Sequence, residues 1–405
     1  MKAVVFKKVG KVELADVPEP VIMQPGDAII RIIASSICGT DLHMIRGTLP
    51  GVKPDTILGH EAVGIVEKTG AELEKIKAGD RVVVCSTIAC GKCVYCQVGE
   101  FSSCDLANPM GPEAGTAFFG GPVETGSFNG LQAERARIPF ADTVLVKIPE
   151  GISNEDALLC SDIFPTGYMG AEIADVKAGD LVAVFGCGPV GQMAIASAKL
   201  MGARKVIAVD VIADRLAMAA RQGAVTVNYD EQDPLDVLKK ETNGYGPDAC
   251  IDAVGVDAQS PHADGHKVTK TGSVENAKDR KMVAPKSVKF GDQWRQGEAP
   301  AQVLNWCVES VRKSGVVSIV GVYPQTMTSF PIGLAMQKAL TIRAANCSHR
   351  KYMQKCFQII KDGRFLPSSI LTITEPFADA ISAYQHFDKR EPGWIKVELL
   401  PEPSK

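Results

Sequence analysis

The chain has 405 residues, with 45% apolar and 22% charged residues and a net charge of −3. That length favours two or three domains, and the mix excludes a disordered or collagen-like chain. With no basic excess and no run of 18 apolar residues, neither nucleic-acid binding nor a membrane span is expected. The start, Met1 to Lys8, has too short an apolar stretch for a signal peptide, so a cytoplasmic protein is expected.

The first 150 residues read as β-rich. Short apolar runs at Ala3–Phe6, Ala28–Ala34, Ala62–Glu67, Arg81–Cys85 and Thr143–Lys147 are broken by Gly, Pro and Asp. This predicts a folded-over or barrel-like sheet. After Asn154 the pattern changes to strands alternating with helices, which predicts a parallel sheet covered on both faces. The predicted strands are Leu181–Phe185, Lys205–Asp210, Ala249–Val254, Val316–Val320 and Leu340–Ala344. Helices are expected through about Met201 and at Asp214–Gln222. Val254 and Val316 lie 62 positions apart, whereas a crossover needs roughly 20–25 residues. The excess, about Gly255–Pro300, reads as a polar insertion, with Asn305–Lys313 as the delayed helix. The last strand, Trp394–Leu400, is expected to return to the first domain.

Twelve cysteines in such a chain point to metal or catalysis rather than disulfides. Cys90, Cys93, Cys96 and Cys104 have the spacing to wrap one tetrahedral Zn²⁺, and four thiolates close a site to substrate, so its role is structural. Gly186-Cys187-Gly188-Pro189-Val190-Gly191 follows a predicted strand and opens a helix, as a dinucleotide fingerprint requires. Gly186 permits the turn, Gly188 lets backbone approach a pyrophosphate at the helix N-terminus, and Gly191 allows close helix–strand packing. Asp210 ends the next strand nineteen residues after Gly191. Its carboxylate suits the ribose hydroxyls of NAD and repels a 2′-phosphate, which favours NAD over NADP. Arg215 is a candidate adenosine contact, or an exposed helix arginine. The turns Val254-Gly255 and Gly321-Val322 end strands on the side where cofactor binds. His262 and His266 lack an evident third ligand and are not read as a metal site. Phe118, Phe119, Phe164 and Met44 are candidates for a substrate pocket or for the core.

Cys38-Gly39-Thr40-Asp41-Leu42-His43 and Gly59-His60-Glu61, by spacing alone, do not make a metal site. Together with Gly79-Asp80-Arg81-Val82, the four-cysteine run and the fingerprint in this order, they resemble the zinc-dependent medium-chain alcohol dehydrogenases over nearly the whole chain. The resemblance implies an α/β architecture. A GroES-like β-rich catalytic domain would span 1–164 and 341–405, with a structural-zinc lobe at about 85–110. A Rossmann doubly wound NAD-binding domain would span 165–340, with the insertion at about 255–300. It implies two Zn²⁺ per subunit, and makes Cys38 and His60 ligands of the catalytic one. Aligning on Thr166-Gly167-Tyr168 puts Asp162 at the third ligand position, with Cys160 as the alternative. Aspartate there is similar to the glutathione-independent formaldehyde dehydrogenase branch, which also carries a polar insertion. One thiolate plus one carboxylate balances the Zn²⁺ charge.

The same resemblance makes Asp41 the residue orienting His60. It makes Glu61 a transient ligand or a salt-bridge partner, and Lys396 a basic residue reaching the pyrophosphate. It gives Thr40 the first proton and His43 the delivery of that proton to water, since histidine titrates near neutral pH. The expected reaction is hydride transfer between a small primary alcohol, or an aldehyde hydrate, and NAD. Formaldehyde dehydrogenase or dismutase with retained NAD is the alternative. Polyol or threonine dehydrogenase and a non-catalytic zinc- and nucleotide-binding member are further readings. The insertion is expected either to fold over NAD or to be a surface decoration or subunit contact. A small-molecule substrate and a homo-oligomer, a tetramer before a dimer, complete the expectation.

Overall fold

The computed structural model describes residues 1–261, 270–285 and 293–402. His262 and His266 lie outside the described residues. The chain divides into two units: one is Met1–Pro165, Val288–Arg295 and Asn346–Lys405; the other is Thr166–Ser287 and Gln296–Ala345. Thr341–Ala344 pairs with Val316–Ile319 in the parallel sheet, so the later division falls after residue 345 rather than at 340.

The first unit is built on the strand Ala28–Ile37. Its Ile and Ala residues other than Ile33 are almost wholly buried, and each fully buried Ile contributes roughly 1.5–3 kcal/mol. It pairs antiparallel with Ala62–Thr69, with Arg135–Ile138 and with Val397–Leu400. Arg81–Val84 and Leu145–Lys147 extend the same seven-stranded sheet. Val397 stands opposite Ile37, so the end of the chain reaches the end of the central strand. Lys2–Lys8 forms a separate three-stranded sheet with Lys11–Asp16 and Thr56–Ile57. The run expected from Thr143 is one helical turn, Ala141–Val144, followed by the short strand.

The second unit holds a six-stranded parallel sheet. In spatial order its strands are Val225–Asn228, Lys205–Asp210, Leu181–Phe185, Ala249–Asp252, Val316–Ile319 and Thr341–Ala344. The order reverses between Leu181–Phe185 and Ala249–Asp252, the crevice where doubly wound sheets bind ligands. The delayed helix runs Gln302–Ser310, three residues earlier than its pattern suggested.

Within the insertion, residues Lys270–Val283 form a helix. Val283 and Ala284 pack with Val256, Tyr323 and Met327 of the second unit. Trp294 instead joins the first unit's core beside Leu42, Met44 and Phe387. No helix among the described residues is long and apolar enough to cross a membrane.

Candidate metal centres and active site

Cys38 follows the central strand and caps the helix Gly39–Arg46. Its amide donates to Asp41 Oδ2 at 3.0 Å, and Asp41 Oδ1 lies 3.1 Å from His60 Nδ1. One carboxylate therefore holds the thiol loop by a hydrogen bond and stands beside the imidazole as a charge. Gln132 Nε2 reaches the same carboxylate at 3.4 Å, and Tyr384 donates to Gln132 Oε1 at 2.7 Å.

Asp162 arrives from the other side. Ser153 caps the helix Asn154–Cys160 by accepting the Asp156 amide. Ser161 then donates to Val84 O at 2.5 Å and accepts the Ala62 amide at 3.2 Å. The residue before Asp162 is thus clamped between two strands of the sheet.

Asp162 Oδ2 lies 3.3 Å from His60 Nε2 and 3.5 Å from Cys38 Sγ. Tetrahedral bonds of about 2.0–2.3 Å to N, O and S imply ligand–ligand edges of about 3.3–3.6 Å. The three donors are spaced as ligands of one Zn²⁺. Glu61 completes a group whose ligand atoms lie within 4.8 Å of one another.

The charges agree with that geometry. Asp41, Glu61 and Asp162 are buried with Lys396, His60 and His349. Isolated buried charge is costly, so each carboxylate calls for a positive partner. His60 supplies one. Burial opposes its protonation, but the Asp41 charge and the hydrogen bonds outweigh burial and hold its pKa well above the ordinary value. Burial likewise opposes ionisation of Asp162, and His349 and His60 hold its pKa well below the carboxylate range. Burial pushes the Cys38 thiol up, and Asp162 adds to this. These donors fit a divalent cation that replaces the proton.

Lys396 departs from expectation. It is fully buried, and its Nζ donates to both Glu61 oxygens, at 2.7 and 2.8 Å, and to Ile37 O at 3.0 Å. Three donors meet three acceptors, which leaves no hydrogen for a pyrophosphate. Glu61 is correspondingly committed to an ion pair.

Thr40 and His43 lie three residues apart on the helix Gly39–Arg46, hence on one face. His43 is buried, and its Nδ1 lies 2.8 Å from Thr48 Oγ1. Of the pocket candidates, Phe118 stands edge-on to His60, with ring centroids 6.3 Å apart. Phe119, Phe164 and Met44 are core residues.

His349 carries no local signal in the sequence, yet its Nε2 lies 2.8 Å from Asp162 Oδ1, across 187 residues. The Thr87 amide donates to His349 Nδ1 at 3.3 Å. Burial disfavours the charged ring, but Cys347 and Asp162 raise its pKa to about 9. With Nδ1 accepting the Thr87 amide, the proton of the neutral ring lies on Nε2, facing Asp162.

Cys90, Cys93, Cys96 and Cys104 also converge within 4.8 Å. Cys90 Sγ lies 3.9 Å from Cys96 Sγ, and Cys93 Sγ 3.8 Å from Cys104 Sγ. Zn–S bonds of about 2.3 Å give tetrahedral edges of about 3.8 Å. The Lys92 and Cys93 amides point at Cys90 Sγ and the Cys90 amide at Cys104 Sγ. Burial opposes it, but the Cys96 amide and the neighbouring thiols lower the Cys93 pKa to about 7. The set fits a closed zinc site.

In the second unit, Gly186 to Gly191 turns from the strand Leu181–Phe185 into the helix Pro189–Leu200, with Gly188 as N-cap and Pro189 at the first helical position. A Cβ on Gly191 would fall 1.8 Å from Gly186 O, so only glycine closes the turn. Val190 lies in the first turn of that helix. Arg215 Nη1 lies 3.5 Å from the Cβ position of Gly188. Asp210 accepts the Cys187 amide through Oδ2 and the Val211 and Ile212 amides through Oδ1. It therefore orders the turn as well as facing the crevice end of its strand.

Val254-Gly255 and Gly321-Val322 meet back to back. A Cβ on Gly321 would lie 2.2 Å from the Gly255 nitrogen. Asp252 accepts the Val254 and Gly255 amides and the Tyr323 hydroxyl.

Residues 24–150 match the alcohol dehydrogenase GroES-like domain and residues 189–266 the zinc-binding dehydrogenase domain. An uncharacterized zinc-type alcohol dehydrogenase-like protein of Bacillus subtilis (strain 168) is 36% identical, across 99% of this chain and 100% of its own. This chain belongs to the zinc-dependent medium-chain alcohol dehydrogenase family. A glutathione-independent formaldehyde dehydrogenase of Bacillus subtilis is 33% identical, covering 96% of this chain and 94% of its own. The solved alcohol dehydrogenase TADH from Thermus sp. ATN1 superposes with a TM-score of 0.80 at 32% identity, over 99% of this chain and 100% of that one. The family relation makes the chain an alcohol dehydrogenase-like oxidoreductase with a GroES-like and a Rossmann-type part.

Proposed function

We propose that the chain transfers hydride between a small primary alcohol, or an aldehyde hydrate, and NAD. The convergence of Cys38 Sγ, His60 Nε2 and Asp162 Oδ2, all buried, at metal-ligand spacing carries this reading. Cys38, His60 and Asp162 hold the catalytic Zn²⁺, which as a Lewis acid makes the substrate hydroxyl more acidic. Cys90, Cys93, Cys96 and Cys104 hold a second, structural Zn²⁺.

Thr40, on the same helix face as His43, would accept the substrate hydroxyl proton and pass its own hydroxyl proton towards His43. Thr48 keeps the His43 ring oriented, and that ring releases the proton to water. NAD, when bound, would supply the acceptor for the hydride on the carbon that bears the substrate hydroxyl, so that an alcohol becomes a carbonyl. Glu61, paired to Lys396, holds negative charge beside the ligands. Gly186, Gly188, Pro189, Val190 and Gly191 form the pyrophosphate turn. Asp210 binds the ribose and favours NAD over NADP. Arg215 stands by the turn as a further contact. Gly255 and Gly321 shape the cofactor edge with Val254 and Val322. The protein works as a cytoplasmic homo-oligomer.

A second reading, formaldehyde dehydrogenase or dismutase with NAD retained, has specific support. Asp162 is the matching ligand type, and a formaldehyde dehydrogenase is among the relatives across nearly the full chain. One experiment separates the two. The purified protein is gel-filtered, denatured, and assayed for released nucleotide and metal. Two zincs with stoichiometric NAD(H) support the retained-cofactor reading, then tested with aldehydes and no added cofactor. Two zincs without nucleotide support exchangeable NAD, then tested on an alcohol panel. Absence of zinc at the first site would sink both.

A further inference from the structure

We propose that His349 is a positioning residue that makes Asp162 a one-oxygen metal ligand. The proposal rests on the reading of Asp162 as a zinc ligand.

A carboxylate beside a divalent cation can offer one oxygen or two. Here the oxygens have different partners. Oδ2 faces Cys38 Sγ and His60 Nε2, at 3.5 and 3.3 Å. Oδ1 faces His349 Nε2, at 2.8 Å. The imidazole N–H occupies the lone pair that would otherwise swing toward the metal, and so fixes the rotation of the carboxylate plane.

His349 is itself held. The Thr87 amide donates to its Nδ1, and Thr87 Oγ1 lies 3.0 Å from the same nitrogen and 3.2 Å from Cys347 O. Ser348, just before it, has its hydroxyl 3.0 Å from Ser102 Oγ and accepts the Ser102 amide at 3.0 Å. Ser102 lies two residues before Cys104. The helix that His349 opens, His349–Lys361, is thereby anchored to the four-cysteine lobe. His349, Thr87 and Ser348 are all buried, so water does not readily replace these bonds. Groups that orient a ligand in this way typically change metal affinity or activity about 10–100-fold when removed.

The test is zinc release from the full-length protein into a chromogenic chelator, resolved into fast and slow zinc per chain. Asp162→Ala first identifies which zinc belongs to the candidate active site. His349→Leu is expected to release that zinc about 10–100-fold faster and leave the other zinc unchanged. His349→Gln, whose amide can still donate toward Oδ1, is expected to recover most of the retention. His349→Asn, too short to reach, is not. In an Asp162→Cys background the ligand has no second oxygen, and His349→Leu is expected to add no further acceleration.

Wild-type release kinetics in His349→Leu, with one zinc lost in Asp162→Ala, would overturn the positioning role and leave the metal-site reading intact. Two retained zincs in Asp162→Ala overturn that reading itself. Should His349→Leu fail to fold, the Gln and Asn variants decide: equal release rates reject the proposal.

Discussion

Glu61 and Lys396 are fully buried and satisfy each other's charge. Burial raises the Glu61 pKa while Lys396 holds it down; burial lowers the Lys396 pKa, and Glu61 more than restores it. Breaking such a pair from one side costs about 3–5 kcal/mol, because one charge stays buried alone. Lys396→Met is therefore expected to lower the unfolding free energy by about that amount in denaturant melts. Glu61→Gln combined with Lys396→Met is expected to recover a large part. An unchanged midpoint in the single variant would show the pair to be energetically idle. The pairing was not legible in sequence, where 335 residues separate the partners and a basic residue near the C-terminus suggested a phosphate contact. Asp162 was legible only through alignment on Thr166-Gly167-Tyr168. Cys160 lies outside the converging donors, against Cys356. Asp162→Ala is expected to remove about one zinc per chain and nearly all activity, while Cys160→Ala keeps both by metal analysis. The reverse outcome would make Cys160 the ligand.

At the scale of elements, the parallel sheet was the most readable part. Leu181–Phe185 and Lys205–Asp210 form with the bounds their sequence suggests, because fully buried strands are continuous apolar runs ended by turn residues. Val225–Asn228 left no such trace: it is a short edge strand with mostly partial burial. The helix Gln302–Ser310 was displaced by three residues because Ala299 and Ala301, at its start, are buried without a capping side chain. One clamp on this sheet has a testable pH signature. Asp248 accepts the Leu181 amide through Oδ2 and Arg312 Nε through Oδ1, both at 2.8 Å. Burial alone would raise its pKa, but the Leu181 amide and then Arg312 lower it below 3.8. A depressed carboxyl contributes stability that is complete above its unfolded pKa and is lost as pH falls through the folded value. The stability gap between wild type and Asp248→Asn is expected to be flat at neutral pH and to shrink below about pH 4 in melts across pH. A gap that widens on acidification would contradict this.

Across the whole molecule, the chain leaves the second unit for Val288–Arg295 of the first and returns at Gln296. Composition marked Gly255–Pro300 as an insertion but could not show this division, because polarity reports exposure and not which partner a segment joins. The few apolar residues decide it: Val256 and Val283 belong to one core and Trp294 to the other. Trp294 is secured by more than packing. Its amide donates to Asp388 Oδ2 at 2.6 Å, and Asp388 Oδ1 accepts Arg46 Nε and Nη2 at 2.9 and 2.7 Å. Arg46 and Asp388 side chains are each 2% exposed. Asp388→Ala takes the carboxylate from a buried guanidinium and from the Trp294 amide together, at a cost of about 3–5 kcal/mol. Asp388→Ala is therefore expected to lower the denaturation midpoint by an amount matching that cost in denaturant melts, and Asp388→Asn, which keeps an acceptor for the Trp294 amide, to lower it less. Equal losses in the two variants would show that the Trp294 amide bond adds nothing to the Arg46 pairing.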